Sequence, residues 1–357
     1  MKPPLKSWLW ISLLALLVWP FASQEILSQK DKPDGSAVVL IYHRFGEDKY
    51  PSTNVQREQF ESQIKILAEG GYHFPDPQEF AARLAGGLAP SDLSILVTVD
   101  DAYRSVLEVA WPLLKSHSIP LTLFVATDPI DAGQPGYLSW DEIRDLAGHG
   151  VVIGHHGAAH AHLTQLSAPD ALKDIRRASR RFEAELGYVP KLFAYPYGEY
   201  SPDLERVIRR QGFSAAFAQY SGVIGKGSPA FSLPRFAINE HFGGSDRFRL
   251  VTRSRALPVL DVSPSSPQIE RHGNPPTLRF RVDGHIEGLE ALACYPSHMD
   301  RAAVTSISPS RRVLVRFEKP FPPGRNRINC TLPGADGRWY WFGRLFMVPG
   351  PDSDDFR

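Results

Sequence analysis

Two adjacent carboxylates, Asp100 and Asp101, end the apolar run Ile95-Leu96-Val97-Thr98-Val99. Neighbouring acids repel, so at least one needs a cation or a proton partner to stand there ionised. A metal ion is the usual solution. Further along, Val151-Val152-Ile153 leads into Gly154-His155-His156-Gly157-Ala158-Ala159-His160-Ala161-His162, four histidines within eight residues. His156 and His160 are four apart, and on a helical turn that spacing puts both side chains on one face. With Asp101 they form a set of two histidines and one carboxylate. Three protein ligands leave one position open for water, which is the hydrolytic arrangement of zinc rather than the structural one. The plainer accounts are that Asp101 caps the helix after it and that the histidines are ordinary loop residues. A single histidine would be read that way; four after one strand favour a metal site.

The elements that must position these groups alternate in type. Ala37 to Tyr42, Ile95 to Asp101, Leu121 to Val125, Val151 to Ile153, Leu192 to Ala194, Ser214 to Ala218 and Leu233 to Ile238 read as strands. Helical spacing falls between them: around Phe60 to Leu67, over Asp76 to Leu84, Tyr103 to Lys115, Trp140 to Leu146 (capped by Ser139), Asp170 to Leu186 and Ser201 to Gln211. The strands are continuous apolar runs, the signature of a parallel sheet covered on both faces. About seven such units predict a distorted (β/α) barrel, whose chemistry sits at the C-terminal ends of its strands.

After Leu257 the pattern changes. Residues 256–276 are rich in Pro and Ser and read as a linker. Thr277 to Val282, Leu289 to Tyr295, Val313 to Phe317, Arg327 to Leu332 and Trp339 to Val348 then read as short strands of a small all-β sandwich over 277–349. Its Trp339 and Trp341 alternate onto one face, a carbohydrate platform if exposed and sandwich core if buried, the core being favoured. The only cysteines, Cys294 and Cys330, lie here; in an exported chain a lone pair is read first as a disulfide, and two free buried cysteines are the alternative. At the other end, Lys2 and Lys6 precede an apolar stretch over residues 7–21. Residues 1–23 therefore read as a signal peptide or membrane anchor, followed by a linker over 24–36, and place the protein in the periplasm or outside the cell. That segment is the sole membrane contact expected. The 357 residues carry a net charge of +1, which gives no support to nucleic-acid binding.

Three motifs in order carry a family resemblance. Thr98-Val99-Asp100-Asp101 resembles the first motif of the polysaccharide deacetylases (NodB-like, carbohydrate esterase family 4). His156-Gly157-Ala158-Ala159-His160 resembles their second, His-x-x-x-His motif, and Tyr195-Pro196-Tyr197-Gly198 their third. The resemblance covers about residues 37–242, within a barrel domain set at 37–255. It implies that Asp101, His156 and His160 hold a divalent ion, zinc first, with Co2+, Ni2+ or Fe2+ as alternatives. It also implies that Asp100 is the general base for the metal-bound water and that the backbone N–H of Tyr197 stabilises the oxyanion.

The acid that protonates the leaving amine is normally a histidine in a late Leu-x-His motif, and no clean copy follows the third motif here. Leu40-Ile41-Tyr42-His43 instead resembles the circularly permuted subgroup that deacetylates poly-N-acetylglucosamine in biofilm systems. That likeness makes His43 the general acid. Ala194 stands where the family usually carries an arginine that orients the base. Arg235 is either a substitute charge partner for Asp100 or an ordinary surface arginine. His155 and His162 leave an alternative ligand pairing open. Tyr103 and Tyr197 are candidates for substrate contact. The implied activity is removal of N-acetyl groups from an N-acetylhexosamine exopolysaccharide, with the polymer and its synthesis or export machinery as partners. Two alternatives use the same residues: a non-catalytic sugar-binding or scaffold protein, and an O-acetyl esterase.

Overall fold

The computed structural model describes residue 1 and residues 35–284 and 286–350. The N-terminal segment read as a signal or anchor lies outside the described residues. Among those described, no helix is long and apolar enough to cross a membrane.

Seven parallel strands form the main sheet: β1 (Ala37–Tyr42), β2 (Ser94–Asp100), β3 (Leu121–Val125), β4 (Val152–His155), β5 (Leu192–Ala194), β6 (Ala215–Phe217) and β7 (Phe236–Ala237). Their order is β6-β5-β4-β3-β2-β1-β7. Every residue of β1 and β2 is buried, as expected of strands covered on both faces. Alternate residues serve different layers. Val38, Leu40, Ile95, Val97 and Leu123 pack with the outer helices through Phe60, Ile64, Ile143 and Leu146. Val39, Leu96, Phe124, Ala194 and Phe217 face one another in a separate inner cluster. Residues 230–237 complete the curl. Leu233 bridges to Phe217 in β6, and Phe236 pairs with Leu40 in β1. The result is a distorted (β/α) barrel.

Two four-stranded sheets follow. One contains β8 (Arg255–Ala256), β11 (Ala293–Pro296), β14 (Gly324–Pro333) and β15 (Trp339–Val348) in the order β8-β15-β14-β11. The other contains β9 (Val259–Ser263), β10 (Thr277–Val282), β12 (Val304–Ile307) and β13 (Arg312–Arg316) in the order β9-β10-β13-β12. Leu278, Phe280, Val313 and Val315 of one sheet pack on Ile328, Cys330, Leu332 and Phe346 of the other. Cys294 and Cys330 oppose each other on β11 and β14 and are joined by a disulfide.

Several expectations are corrected. Part of the 256–276 segment read as a linker is strand: β9 is a mostly exposed edge strand, so its Pro- and Ser-rich surroundings mask it. Leu289 to Ala291 is a helical turn rather than strand, and the strand there starts only at Ala293. The helix expected over Tyr103 to Lys115 opens as a π-helical turn, Val106–Ala110, before Trp111–Ser116. Trp339 and Trp341 do share a face, but that face is not the sandwich core. Most of it turns to the barrel, where Trp341 meets Phe236 edge-on at 4.9 Å and Leu345 and Met347 join Tyr200 and Tyr220, while Trp339 at its end is exposed.

The β15 face is therefore pressed onto the barrel. Arg338, which is buried, pairs with Asp92 at 2.7 and 3.0 Å and donates to the Arg253 carbonyl. At Gly343 a Cβ would lie 1.7 Å from the Ser221 carbonyl oxygen. That contact is with backbone, which cannot step aside. Gly343→Ala is expected to cost about 1–3 kcal/mol through overpacking, measured by urea unfolding. A stability within about 0.5 kcal/mol of the parent would show that the two parts are not tightly docked.

Candidate active site

Parallel pairing brings four strand ends together. Tyr42 is level with Val99, Asp100 with Phe124, and Val125 with His155. His43, Asp100, Asp101 and His156 thus follow one another along the C-terminal rim, with the Tyr195-Pro196-Tyr197-Gly198 turn one strand further on.

Along β2 the alternation puts Thr98 and Asp100 on the same side as Leu96, toward the inner cluster. Arg235 comes up from the closing segment to meet them. Its Nη1 and Nη2 grip the two oxygens of Asp100 at 2.7 and 2.8 Å, its Nε donates to the Ala218 carbonyl at 2.9 Å, and Nη1 also reaches Thr98 Oγ1 at 3.3 Å. Arg235 is 1% exposed and Asp100 3%, so this is no surface arginine. Burial alone would raise the Asp100 pKa. Arg235 outweighs it and the carboxyl falls to about 2. The charge beside Asp100 thus comes from the closing segment and not from position 194, which is Ala194.

Asp101 lies past the strand end with φ 74, a left-handed conformation that a non-glycine residue adopts only under constraint. Its Oδ1 is 3.6 Å from His156 Nε2 and 3.2 Å from His160 Nε2. One ligating atom from each of the three lies within 4.8 Å of the others. His156 supplies the strongest test of whether they suit a cation. Its Nδ1 contacts the Ala194 carbonyl at 2.7 Å. A carbonyl only accepts, so Nδ1 carries the proton and Nε2 is a bare lone pair. That Nε2 is buried and has no hydrogen-bond partner among the described residues. It faces Asp101 Oδ1 and, at 3.8 Å, Asp100 Oδ2. Burial pushes the ring's pKa down to about 4, so it is neutral at pH 7. A lone pair aimed at two carboxylates, with no proton between, suits a divalent cation.

The geometry is not the helical turn expected from the i, i+4 spacing. Residues 156–160 form a loop with His160 at φ 50. The loop is held by buried Asp174, which accepts from the N–H groups of Ala158 at 2.8 Å and Ala159 at 3.0 Å. Asp174 has no motif around it; it reads as one acid among many on a charged helix. The alternative histidines point elsewhere. His155 is enclosed by Phe182, Phe193 and Phe213, and burial lowers its pKa to about 3. His162 Nδ1 contacts Glu199 Oε2 at 2.8 Å, and its ring stacks on Tyr197 at 3.8 Å.

Tyr197 is also left-handed (φ 58, ψ 3). Its ring meets His160 edge-on at 4.5 Å, and its N–H finds no acceptor among the described residues. Gly198 follows at φ 68 with its α-carbon against Gln219, where a Cβ would sit 2.1 Å from that side chain. Tyr103 stands across the rim, packed on Tyr137 at 4.7 Å and capped by the Arg44 guanidinium at 3.4 Å. Burial and then Asp101 raise its pKa, so it is a neutral phenol. His43, partly exposed, is near enough to Asp100 to help keep that carboxyl ionised. Tyr42 and Tyr195 are core residues, their hydroxyls bonded to Gln63 and to the Phe231 carbonyl.

Comparisons with known proteins agree with the motifs and the barrel fold. The family profile "Polysaccharide deacetylase" matches residues 88–216. The chain is 24% identical over 238 residues to the poly-beta-1,6-N-acetyl-D-glucosamine N-deacetylase of Staphylococcus aureus (strain MSSA476), covering 58% of this chain and 80% of that one. Among solved structures it is similar to IcaB from Ammonifex degensii, with 28% identity and a TM-score of 0.53 over 62% of this chain and 99% of the other. The deacetylase PplD of Streptococcus pyogenes shares the fold at 20% identity, with a TM-score of 0.56 over 62% of this chain and 99% of that one. The profile match and these relatives assign a polysaccharide deacetylase domain to the barrel part of this chain.

Proposed function

We propose that the protein is a divalent-cation-dependent hydrolase that removes N-acetyl groups from an N-acetylhexosamine polymer of the poly-β-1,6-N-acetylglucosamine type. The observation that carries this reading is the orphaned Nε2 of His156 facing Asp101 and Asp100, with His160 completing the donor set. Asp101, His156 and His160 would hold the ion. Bound there, a cation such as zinc supplies a Lewis acid that polarises the acetyl carbonyl and makes water more acidic.

The chain's own groups do the rest. Asp100 takes a proton from the attacking water. A carboxylate with a pKa of about 2 is a weak base, so it needs a water of raised acidity, and base and donor set depend on each other. Arg235 fixes the carboxylate plane and keeps it ionised. The Tyr197 N–H donates to the oxyanion that develops from the acetyl oxygen. His43 gives a proton to the departing amine as the carbon–nitrogen bond breaks, leaving acetate and a free amino sugar. The rings of Tyr103 and Tyr197 flank the substrate. The N-terminal segment read as an export signal would bring the enzyme to a polymer outside the cytoplasm.

Acetate release from β-1,6-linked N-acetylglucosamine oligomers is expected to stop with a chelator and return with zinc or cobalt. Release that a chelator leaves untouched would contradict the proposal. Asp100→Asn is expected to lower kcat by about 10²–10⁴, with thermal unfolding followed in parallel because the change leaves the Arg235 charge partly unpaired. The Arg235 role predicts a pH effect of definite sign. Without its bidentate grip, burial is less opposed and the Asp100 pKa rises. The acid limb of kcat/KM in Arg235→Lys or Arg235→Met should move to higher pH by about one unit or more. An unmoved limb would mean that Arg235 serves only packing.

A further inference from the structure

The sandwich is fused to the barrel, and one of its arginines reaches the rim. Arg325 lies at the start of β14, across from Met347 on the face that turns to the barrel. Its Nη1 donates to the main-chain carbonyl of Tyr197 and reaches Gln219 Oε1 at 3.4 Å, while its Nε lies 3.8 Å from Glu199 Oε1. Glu199 is buried, and its other oxygen meets His162 Nδ1 at 2.8 Å and Thr164 Oγ1 at 3.3 Å. His162 in turn stacks on the Tyr197 ring. Tyr197 is thus held from two sides, its carbonyl by Arg325 and its ring by the His162–Glu199 pair that Arg325 also faces.

This clamp matters because of the backbone it holds. A tyrosine in the left-handed region persists only where its surroundings over-determine it. The Gly198 and Glu199 amides tie the same turn to the Tyr195 and Pro196 carbonyls. The carbonyl that Arg325 takes and the N–H aimed at the oxyanion flank one α-carbon, so fixing the first restricts the second.

We propose that Arg325 is a positioning residue for the deacetylase reaction, and that the C-terminal sandwich is thereby a working part of the active site rather than an appended sugar-binding module. This rests on the reading of Tyr197 as the oxyanion donor. A donor displaced by a fraction of an ångström loses stabilisation in the transition state and little in substrate binding. The loss should therefore appear in kcat and not in KM.

The test uses the full chain with Arg325→Ala, Arg325→Gln and Arg325→Lys, and Arg279→Ala on the outer sheet as control. Amide hydrogen exchange in the metal-free protein is the first readout and needs no substrate. Exchange at Gly198 and Glu199 should quicken about tenfold in the Ala and Gln variants and stay near parental in the Lys variant. Val99 and Leu123, in the barrel sheet, should not change. The second readout is turnover per folded molecule. We expect kcat to fall about tenfold to a hundredfold, with KM within about twofold, and Lys to restore part of it. Unchanged exchange at Gly198 and Glu199 in Ala and Gln variants that fold overturns the clamp. Quickened exchange with parental kcat overturns its link to the reaction. A parent that binds no metal and releases no acetate would instead defeat the deacetylase reading, and the exchange result would still decide the clamp.

Discussion

Burying an arginine and an aspartate together at the centre of a barrel is the constraint on which the site depends. Each charge alone would be costly there, and removing one partner of such a pair typically costs about 3–5 kcal/mol. The pair is tolerated because its geometry is nearly complete: two parallel hydrogen bonds to Asp100, one to the Ala218 carbonyl and one toward Thr98, whose own hydroxyl is anchored on the Leu40 carbonyl. Those partners come from β1, β2, the loop after β6 and the closing segment. The barrel must be curled and closed before the pair can exist. Once formed, it keeps a carboxylate ionised beside a bare imidazole nitrogen.

Around that pair the rim is assembled from strained loops held by remote polar anchors. Asp101, His160 and Tyr197 all adopt left-handed backbone conformations. Each is fixed by something outside its own motif: Asp101 by its N–H on the Phe124 carbonyl, the His160 loop by Asp174, and Tyr197 by Arg325. In the proposed mechanism the motifs supply the reacting atoms, while the anchors decide where those atoms stand. This division explains why a second domain can matter to the chemistry without contributing a motif.

The barrel strands were legible because they are short, continuous apolar runs, and their ends announce themselves as Asp100-Asp101 and His155-His156. The histidine spacing was legible as a donor set, but not as a loop, since i, i+4 spacing is also that of a helix. Arg235 was legible only as a question. It sits in a segment with little regular structure and bonds across 135 residues of chain. Arg325 was not legible, because one arginine on an alternating strand looks like solvent-facing polarity until the face beneath it is known. Trp341 misled for the same reason: alternation gives the face but not its partner, which here is the barrel. Edge strand β9 was hidden by its exposure, which removes the apolar pattern on which strand recognition relies.

The most direct test of the central claim is a cobalt(II) titration of the chelator-treated protein, followed by its visible absorption. The donor set of Asp101, His156 and His160 predicts saturation at one equivalent, with d–d bands of a low-coordinate nitrogen and oxygen site. His156→Ala should abolish saturation, and Arg235→Lys should leave the stoichiometry unchanged. A parent protein that takes up no cobalt, or a His156→Ala protein that still binds one equivalent with the same bands, would contradict the account.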